Sequence, residues 1–494
     1  MINVQLINHD FEYDIQQLLL VFFNEINFVK NPKDQGLFLM NSLSLLEDEI
    51  VVKSQLYKNN ELLDSEETTH INASDIDLFI KNYHKRMIKH NIYKLLKRSF
   101  ESQSGWGILT GMRPVKVAHK YLDANYSLET LKELFKSEYF MDDEKISLVT
   151  EIAKKERDFI YPIENDKISL YISIPFCITR CSYCSFPSNI LSKKEDLVEP
   201  YLKSLKHEIE RVLEKVKEKQ LIVDSIYIGG GTPSILTEKQ IFDLLSFLEN
   251  QIDMNQVKEY TFEAGRPKTI TKEKLEVMKQ FNVDRICLNP QTLDDTILKR
   301  INRDHLSEDI IEKYELIKSY GFDSINMDLI LGLPGQTKET YQKTLSQVRD
   351  LKPENITVHS LAIKRGSKLN NKGYTFDDVK VTEDLMEYSK EVLKDTYEPY
   401  YMYRQKNIIG NLENVGFSLP GKASLYNIKI IEERHTILAF GAGAVSKVAY
   451  AGSDRFERVP NSKGLEDYLD RIDEMANRKI DALERIIGGD NDIL

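Results

Sequence analysis

From about residue 166 onward, short runs of β-branched and aromatic residues alternate with longer stretches of helical periodicity. Six short runs stand out, namely ISLYISI, DSIYIGG, EYTFEAG, DRICLNP, SINMDLIL and NITVHSLAI. The stretches between most of them have helical periodicity. One example is TEKQIFDLLSFLENQI, in which Thr237 and Gln240 stand at capping-box spacing. Strands that alternate with helices form parallel β/α units with right-handed crossovers. Since six units are too few for the usual eight-stranded closed barrel, we predict an α/β fold built on a partial, open (β/α)6 TIM-like barrel.

The 494-residue chain is too long for one ordinary core. The alternation of strand and helix patterns divides it into three predicted regions. We predict an N-terminal α+β accessory domain over residues 1–165 and the barrel core over residues 166–375. Residues 376–494 are predicted to cover the open side of the barrel. No low-complexity linker separates this last region from the barrel, so we expect the two to pack closely.

Composition and charge exclude several classes of protein. The net charge of −11 argues against a protein that wraps nucleic acid. The basic segment KNYHKRMIKHNIYKLLKRSF has helical periodicity and is interpreted mainly as a solvated helix face, with RNA or anion binding as the alternative. The apolar run LLLVFF is far shorter than the roughly 20 residues of a membrane helix. With four cysteines and no secretory signal, we expect a protein of the reducing cytoplasm.

Three of the four cysteines lie in the segment CITRCSYC, directly after a predicted strand. Cys177, Cys181 and Cys184 have the spacing C-x3-C-x2-C, and residues 170–192 contain neither a His nor a fourth Cys. A structural zinc site would normally have four ligands, and a disulfide would leave one thiol over. Cys287 lies in an apolar strand pattern and is expected to be a buried hydrophobe. A [4Fe–4S] cluster with three protein thiolates and one open iron explains the count best, with zinc or no metal as alternatives.

The cysteine segment, with Tyr183 just before its last Cys, resembles the motif of the radical S-adenosylmethionine (SAM) enzymes. The resemblance implies that the methionine amino and carboxylate groups of SAM chelate the open iron. One electron from the cluster then cleaves SAM to methionine and a 5′-deoxyadenosyl radical. The segment YIGGGTPS after the second predicted strand fits this picture. Its glycines allow close approach of the backbone, and exposed amides there would suit the methionine carboxylate.

Longer segments resemble the oxygen-independent coproporphyrinogen III oxidases or dehydrogenases and their relatives, the HemN/HemW/HemZ group. They include LYISIPFCITRCSYCSF, IYIGGGTPS, LNPQTLDDTILKRINRDH and INMDLILGLPGQT. The N-terminal extension, LTGMRP and FGAGAVSK indicate a HemZ-like member. The implied reaction is oxidative decarboxylation of two propionates of coproporphyrinogen III to vinyls, giving protoporphyrinogen IX in haem biosynthesis. A reductant such as flavodoxin or ferredoxin is the implied protein partner, and neither a membrane nor nucleic acid is expected.

The resemblance also assigns cofactor contacts. The residues expected to hold the SAM molecule on the cluster are Tyr171, Tyr183, Gly230 and Glu263, with Val445 at the adenine end. The residues that match a second SAM site are Gly231, Thr232, Gln291, Arg303, Asp328 and Ala362. Glu263, Arg303 and Asp328 have an alternative interpretation as strand-end charges or structural ion pairs, so one SAM is implied and a second stays open. The candidate cations for the four substrate carboxylates are Lys364, Arg365, Arg404, Lys406 and Arg434, which ordinary surface positions would equally explain.

Three positions depart from the family pattern. Phe186 stands where HemN-type oxidases carry a further Cys, and Ser173 replaces a His that is common two residues after the Tyr. Haem-binding relatives have His-Asn where this chain has Tyr426 and Asn427. Two alternatives to the dehydrogenase therefore stay open: a haem chaperone of the HemW type, and a radical SAM enzyme that acts on another substrate such as RNA.

Overall fold

The computed structural model describes residues 1–23, 25–30, 36–47, 49–71, 80–100, 104–111, 113–371, 379–405, 408–450 and 455–487. The chain divides into two compact units, Met1–Ala153 and Lys154–Leu494. A helix, Asp143–Ile160, spans this division, and the first barrel strand begins at Lys167. The three-region division at residues 165 and 375 stays a prediction.

The first unit has one mixed sheet and helices after it. Its strands are β1 (Ile2–Ile7), β2 (Ile26–Phe28), β3 (Leu37–Leu45), β4 (Glu49–Lys58) and β5 (Glu61–Ile71). Its helices are α1 (Glu12–Leu19), α2 (Ile80–Lys97), α3 (Pro114–Asp123), α4 (Leu128–Ser137) and α5 (Asp143–Ile160). The strand order is β2-β1-β3-β4-β5, with β1 parallel to both of its neighbours and β3, β4 and β5 joined antiparallel.

The basic segment singled out in the sequence forms helix α2, which packs against β4 and β5. Its buried side includes Ile88 and Ile92, as the helical periodicity predicts. Near its C-terminal end, Lys94 lies 3.0 Å from Glu66, and the guanidinium of Arg98 lies 2.6 Å from the same carboxylate. Because these cations already face a carboxylate of the same unit, less positive charge is left for a nucleic-acid backbone.

The second unit contains the predicted barrel strands and five further long strands. Its strands are β6 (Lys167–Ile174), β7 (Phe176–Cys177), β8 (Asn189–Ile190), β9 (Ile222–Gly230), β10 (Glu259–Glu263), β11 (Arg285–Cys287), β12 (Ser324–Leu331), β13 (Asn355–Ser360), β14 (Glu398–Tyr403), β15 (Asn414–Ser418), β16 (Thr436–Phe440), β17 (Val445–Ala449) and β18 (Phe456–Pro460). Its helices are α6 (Val198–Glu218), α7 (Glu238–Gln251), α8 (Lys272–Gln280), α9 (Asp295–Arg300), α10 (Ser307–Ser319), α11 (Lys338–Leu351), α12 (Lys368–Asn371), α13 (Val379–Leu393), α14 (Leu425–Glu432), α15 (Leu465–Asp470) and α16 (Ile472–Ile487).

The six predicted strands form the parallel centre of one sheet in the order β13-β12-β11-β10-β9-β6. The partial, open barrel is thus confirmed, because the sheet ends at β14 on one side and at β18 on the other. Its strands are buried almost throughout, as the near-continuous apolar runs require when helices cover a parallel sheet. The predicted capping box is also present. Thr237 Oγ1 accepts from the Gln240 amide at 3.2 Å, and Gln240 Oε1 accepts from the Thr237 amide at 2.9 Å.

The strands after residue 375 join the same sheet at both of its edges. Strand β15 pairs antiparallel with β13, and β16 pairs parallel with β6. Both edges of the six-stranded centre are therefore paired with further strands, and β14 and β18 become the edge strands of the sheet. The C-terminal region therefore lengthens the barrel sheet at both edges. In the described part of the chain, no helix has both the length and the apolar character that crossing a membrane would require.

Candidate active site

A cavity of about 290 Å³ lies where the parallel strands β6, β9, β10, β12 and β13 end. The loops that follow the strands of a β/α barrel meet at this edge, which is where such folds place their active sites. The predicted residues that line the cavity are Tyr171, Cys177, Cys181, Tyr183, Cys184, Gly230, Gly231, Thr232, Glu263, Gln291, Arg303, Asp328, Ala362 and Lys364. Residues that the motifs placed far apart in the chain are thus brought to one site.

The structure places the other predicted site residues elsewhere. Val445 begins β17 and is 39% exposed, and Arg365 is exposed outside the cavity lining. The buried guanidinium of Arg404 donates to the Asn411 carbonyl at 2.9 Å. Arg434 is hydrogen-bonded to the Tyr161 hydroxyl. These two arginines are held by internal acceptors because a buried guanidinium needs them. Lys406 lies outside the described residues.

The cysteine loop starts at the end of β7 and presents its three thiols to the cavity. Burial raises the pKa of the Cys177 and Cys184 thiols. The Thr232 hydroxyl donates to Cys177 Sγ at 3.6 Å, and the Arg266 guanidinium donates to Cys181 Sγ at 2.9 Å. Donors aimed at sulfur suit thiolate ligands, whose negative charge they stabilise.

Glycine at 231 lets two backbone segments approach closely at the cysteine loop. A Cβ at Gly231 would overlap the Phe176 carbonyl oxygen and lie 3.0 Å from Cys177 Sγ. Together with the three convergent thiols and the donors on them, this close approach fits a thiolate-bound [4Fe–4S] cluster. The fourth cysteine, Cys287, is buried in β11 with its Sγ 3.9 Å from the Tyr227 hydroxyl, as expected for a small apolar residue.

The amides of the glycine-rich turn at the end of β9 bond to Glu263 and to the residues just before the cysteine loop. Gly230, at φ +112°, donates to Glu263 Oε2 at 3.1 Å. The amide of Gly231 donates to the Ile174 carbonyl at 2.9 Å, and that of Thr232 to the Phe176 carbonyl at 2.8 Å. The expectation that these amides are exposed for a carboxylate is therefore wrong for all three. Their buried N–H groups bond to protein oxygens, as buried donors must.

Glu263, at the end of β10, is a half-buried carboxylate with both oxygens hydrogen-bonded. Its Oε1 accepts from the Tyr227 hydroxyl at 2.5 Å and its Oε2 from the Gly230 amide. Burial, with a contribution from the nearby charge of Asp328, raises the pKa of Glu263 to about 7. Half of these carboxyl groups are then protonated near neutral pH. Its alternative interpretation as a solvent-facing charge at a strand end finds no support, because both carboxylate oxygens accept hydrogen bonds from the protein.

Asp328, on β12, is held in its ionised form by its neighbours. Burial alone would raise its pKa, but hydrogen bonding and charge from His359, with a hydrogen bond from Asn326, lower the pKa below its usual value. The Nδ2 of Asn326 donates to Asp328 Oδ1 at 2.8 Å, and His359 Nε2 lies 3.7 Å from Asp328 Oδ2. The hydroxyl of Tyr403 lies 3.3 Å from His359 Nδ1. Asp328 is thus held as a carboxylate in the cavity wall, with His359 beside it as a partner.

Arg303 lines the same cavity as Glu263 and Asp328. Its guanidinium donates to the carbonyls of Gly265 at 3.1 Å and Asn289 at 2.9 Å. Its buried Nε has no hydrogen-bond partner in the part of the chain that the structure describes. Arg303 therefore forms carbonyl hydrogen bonds here rather than a salt bridge, and it keeps a donor for an anionic ligand.

Several cavity residues were missed from the sequence. They are Arg180, Phe186, Arg266, Asn289, His359, Tyr403, Gln405 and Asn414. For Arg266 and His359 a signal existed, because both stand in or just after segments already assigned to strand ends, EYTFEAG and NITVHSLAI. Tyr403, Gln405 and Asn414 stand in YRQKN and GNLENVGF, two further segments that resemble HemZ-like proteins. No local pattern placed them at the cavity, since their approach depends on how β14 and β15 add to the sheet edge.

Comparisons with known proteins agree with this architecture. The family model "Radical SAM superfamily" matches residues 171–348. The chain is 36% identical to the Bacillus subtilis "Oxygen-independent coproporphyrinogen-III oxidase-like protein HemZ", over 96% of this chain and 95% of that protein. It is 31% identical to the Lactococcus lactis "Heme chaperone HemW", over 57% of this chain and 71% of that protein.

A solved structure shows the same fold. It is the Escherichia coli coproporphyrinogen III oxidase HemN, described as a radical SAM enzyme, with a TM-score of 0.50 and 22% identity over 66% of this chain and 73% of that one. The near-complete match to HemZ decides membership, because it extends over both compact units. The chain belongs to the radical SAM superfamily, in the HemN/HemW/HemZ group of coproporphyrinogen oxidase-like proteins.

Proposed function

We propose that this protein is a radical SAM coproporphyrinogen III dehydrogenase that converts two propionates to vinyls and yields protoporphyrinogen IX. The observation that carries the proposal is a cavity that three thiols line together with Glu263, Asp328 and Arg303. Similarity to HemZ over nearly the whole chain supports the choice of substrate class. When bound, the cluster and SAM supply one-electron reduction and hydrogen-atom abstraction. In the overall change, each propionate would lose carbon dioxide, one hydrogen atom to the radical derived from SAM, and one electron to an external acceptor.

The residues of the cavity bind and orient SAM in this proposal. Glu263, in its ionised form, accepts hydrogen bonds from the ammonium or ribose of the SAM on the cluster. Asp328 and Arg303 offer one negative and one positive group, which suits the zwitterionic methionine end of a second SAM. Gln291 and Ala362 line the same cavity. One SAM is thus required by the proposal, and the paired charges of Asp328 and Arg303 support a second.

A substrate with four carboxylates needs convergent cations at the cavity mouth. Lys364 lines the cavity, where burial lowers its pKa and the charge of Cys184 opposes that shift. Arg180 lines it as well and donates to the Gly366 carbonyl at 2.9 Å. We therefore assign the carboxylate contacts to Lys364 and Arg180 instead of Arg365, Arg404 or Arg434.

The haem chaperone is the second candidate, and the similarity to HemW over the barrel favours it. The environment of Tyr426 weighs against it. Tyr426, at the position of the His in haem-binding relatives, is buried, and its ring stacks on Tyr227 with centroids 4.5 Å apart. A side chain packed in this way is not available as an axial haem ligand at the surface.

Anaerobic incubation with coproporphyrinogen III, SAM, dithionite and a cell extract as the source of the electron acceptor tests the proposal. We expect 5′-deoxyadenosine and, by mass spectrometry, a product that has lost two carboxyl groups. The Cys177/Cys181/Cys184→Ala variant is the matched control and should yield neither. Stoichiometric haem capture without any vinyl product would contradict the proposal and support the chaperone.

The raised pKa of Glu263 predicts a pH-dependent affinity for SAM. Because the ionised carboxylate is the binding form and its pKa is about 7, affinity should rise about tenfold from pH 6 to pH 8 and then level off. Calorimetric titration of the reconstituted protein measures it. The Glu263→Gln variant should bind weakly at every pH. Titration of SAM itself affects the wild-type protein and the variant equally. If the affinity for SAM changed with pH in the same way in both, the role of Glu263 would be refuted.

The cellular setting is proposed from the same chemistry. The four cysteines are free thiols in the structure, and a low-potential cluster needs a protein reductant such as flavodoxin or ferredoxin. A reducing cytoplasm keeps thiols free and contains such reductants, and we place this enzyme there.

A further inference from the structure

Arg266 lies beside the cysteine loop, three residues beyond the last residue of β10, and is almost fully buried. Its Nη2 donates to Cys181 Sγ at 2.9 Å and to the Thr179 carbonyl at 3.1 Å. Its Nη1 lies 3.1 Å from Asp304 Oδ1. The Arg266 guanidinium thus contacts a backbone carbonyl and a sulfur of the cysteine loop, together with the carboxylate of Asp304.

The three sulfurs receive different donors. Cys177 Sγ accepts from the neutral hydroxyl of Thr232, and Cys184 is hydrogen-bonded by the backbone of Phe186. Among these donors, only the one on Cys181 carries a full charge. Hydrogen bonds to the sulfurs and nearby charge are among the factors that set the reduction potential of an iron–sulfur cluster. Arg180 and Lys364 contribute positive charge near Cys184. Arg266 combines its charge with a direct hydrogen bond to the sulfur, so it should have the largest effect of the three donors.

We propose that Arg266 is a positioning residue that sets the reduction potential of the cluster through its hydrogen bond to Cys181, and that Asp304 moderates this effect. The inference depends on the cluster of the proposed function. Adding an electron to the cluster adds negative charge, which a buried cation favours strongly in a medium of low dielectric constant. Arg266 therefore raises the potential and makes the cluster easier to reduce. Asp304, through its ion pair with Arg266, offsets part of that charge.

Redox titration of the reconstituted protein, followed by EPR, tests this inference without any measurement of turnover. For Arg266→Gln, the ratio of reduced to oxidised cluster at a fixed potential should fall at least tenfold, a shift of about 59 mV to more negative potential for one electron. Arg266→Lys keeps the charge and should shift less. Asp304→Asn should shift the potential in the opposite direction. Arg211→Gln, which removes an exposed cation of α6 that is paired with Asp473, is the control and should leave the potential unchanged.

Iron content separates this inference from the proposed function. If the wild-type protein binds no iron, the proposed function itself fails. If Arg266→Gln keeps its iron and its ratio of reduced to oxidised cluster changes by less than a factor of two at a fixed potential, the inference is overturned. Arg266 would then only stabilise the loop. If Arg266→Gln loses its iron, Asp304→Asn decides, since a potential that does not rise in that variant also overturns the inference.

Discussion

Replacing Cys177, Cys181 and Cys184 together with Ala is expected to remove bound iron, the brown colour and 5′-deoxyadenosine formation in one step. The three thiols meet at the cavity, and the described residues around them offer no substitute thiolate there. The wild-type protein, reconstituted without oxygen, should bind about four irons per chain. Iron analysis, the visible absorption spectrum and chromatographic assay of 5′-deoxyadenosine give three independent readouts.

Cys287→Ala is the matched control for this experiment. Cys287 is the fourth cysteine of the chain, is buried like Cys177 and Cys181, and lies on β11 without lining the cavity. The variant should keep its iron and its colour, with only a modest loss of stability from the small space left in the core. Turnover by the triple variant, or loss of iron in Cys287→Ala alone, would contradict the cluster assignment.

A single methyl group at residue 231 is expected to have an effect almost as large. In Gly231→Ala, the new Cβ would collide with the Phe176 carbonyl and press on Cys177 Sγ. Because the collision partner is backbone, the cysteine loop itself must move, and the turn after β9 would lose its hydrogen bonds to that loop. We expect at least about a hundredfold loss of 5′-deoxyadenosine formation, since displacements of about 1 Å have such effects in active sites.

Gly265→Ala provides the control, because this glycine lines the same cavity and has space for a side chain. The nearest atom to a Cβ at this position is Asn289 Nδ2, at 3.6 Å, an ordinary contact distance. The variant should keep its iron and most of its activity. Equal activities of the two alanine variants would show that close approach at Gly231 does not matter for the cysteine loop.

The barrel centre and the cysteine loop were predictable because their signals are local in the sequence. Each parallel strand appears as an apolar run between helical patterns, and β9 and β12 lie within the predicted runs or within two residues of them. The three cysteines occur within eight residues of one another, so one loop suffices to bring them together. Glu263 and Asp328 were assigned from the family resemblance, and both line the cavity at the edge where the parallel strands end.

The rest of the site depends on contacts between distant parts of the chain, which no local pattern encodes. Tyr403 and Asn414 reach the cavity only because β14 and β15 extend the sheet beyond β13. Arg404 and Arg434 carried the charge expected of substrate contacts, but their internal acceptors, the Asn411 carbonyl and the Tyr161 hydroxyl, became visible only in the folded chain.

The turn after β9 shows why a motif alone was misleading. The glycines of YIGGGTPS indicated close backbone approach, and Gly231 does approach Cys177 closely. However, the amides of Gly230, Gly231 and Thr232 bond to protein oxygens, so the turn supports the cysteine loop and Glu263 instead of offering those amides to a ligand. The partner of a backbone amide depends on the neighbouring strand. Here that strand is β6, and the acceptors for the Gly231 and Thr232 amides are the carbonyls of Ile174 and Phe176.

Magnetic resonance of the dithionite-reduced protein, with SAM carrying ¹⁵N in its methionine amino group, tests most directly whether three thiolates leave one iron for this cofactor. We predict that SAM changes the shape of the cluster's EPR signal and that ENDOR detects a hyperfine coupling to the ¹⁵N nucleus. An iron–sulfur signal that is identical with and without SAM, and shows no ¹⁵N coupling, would contradict the account.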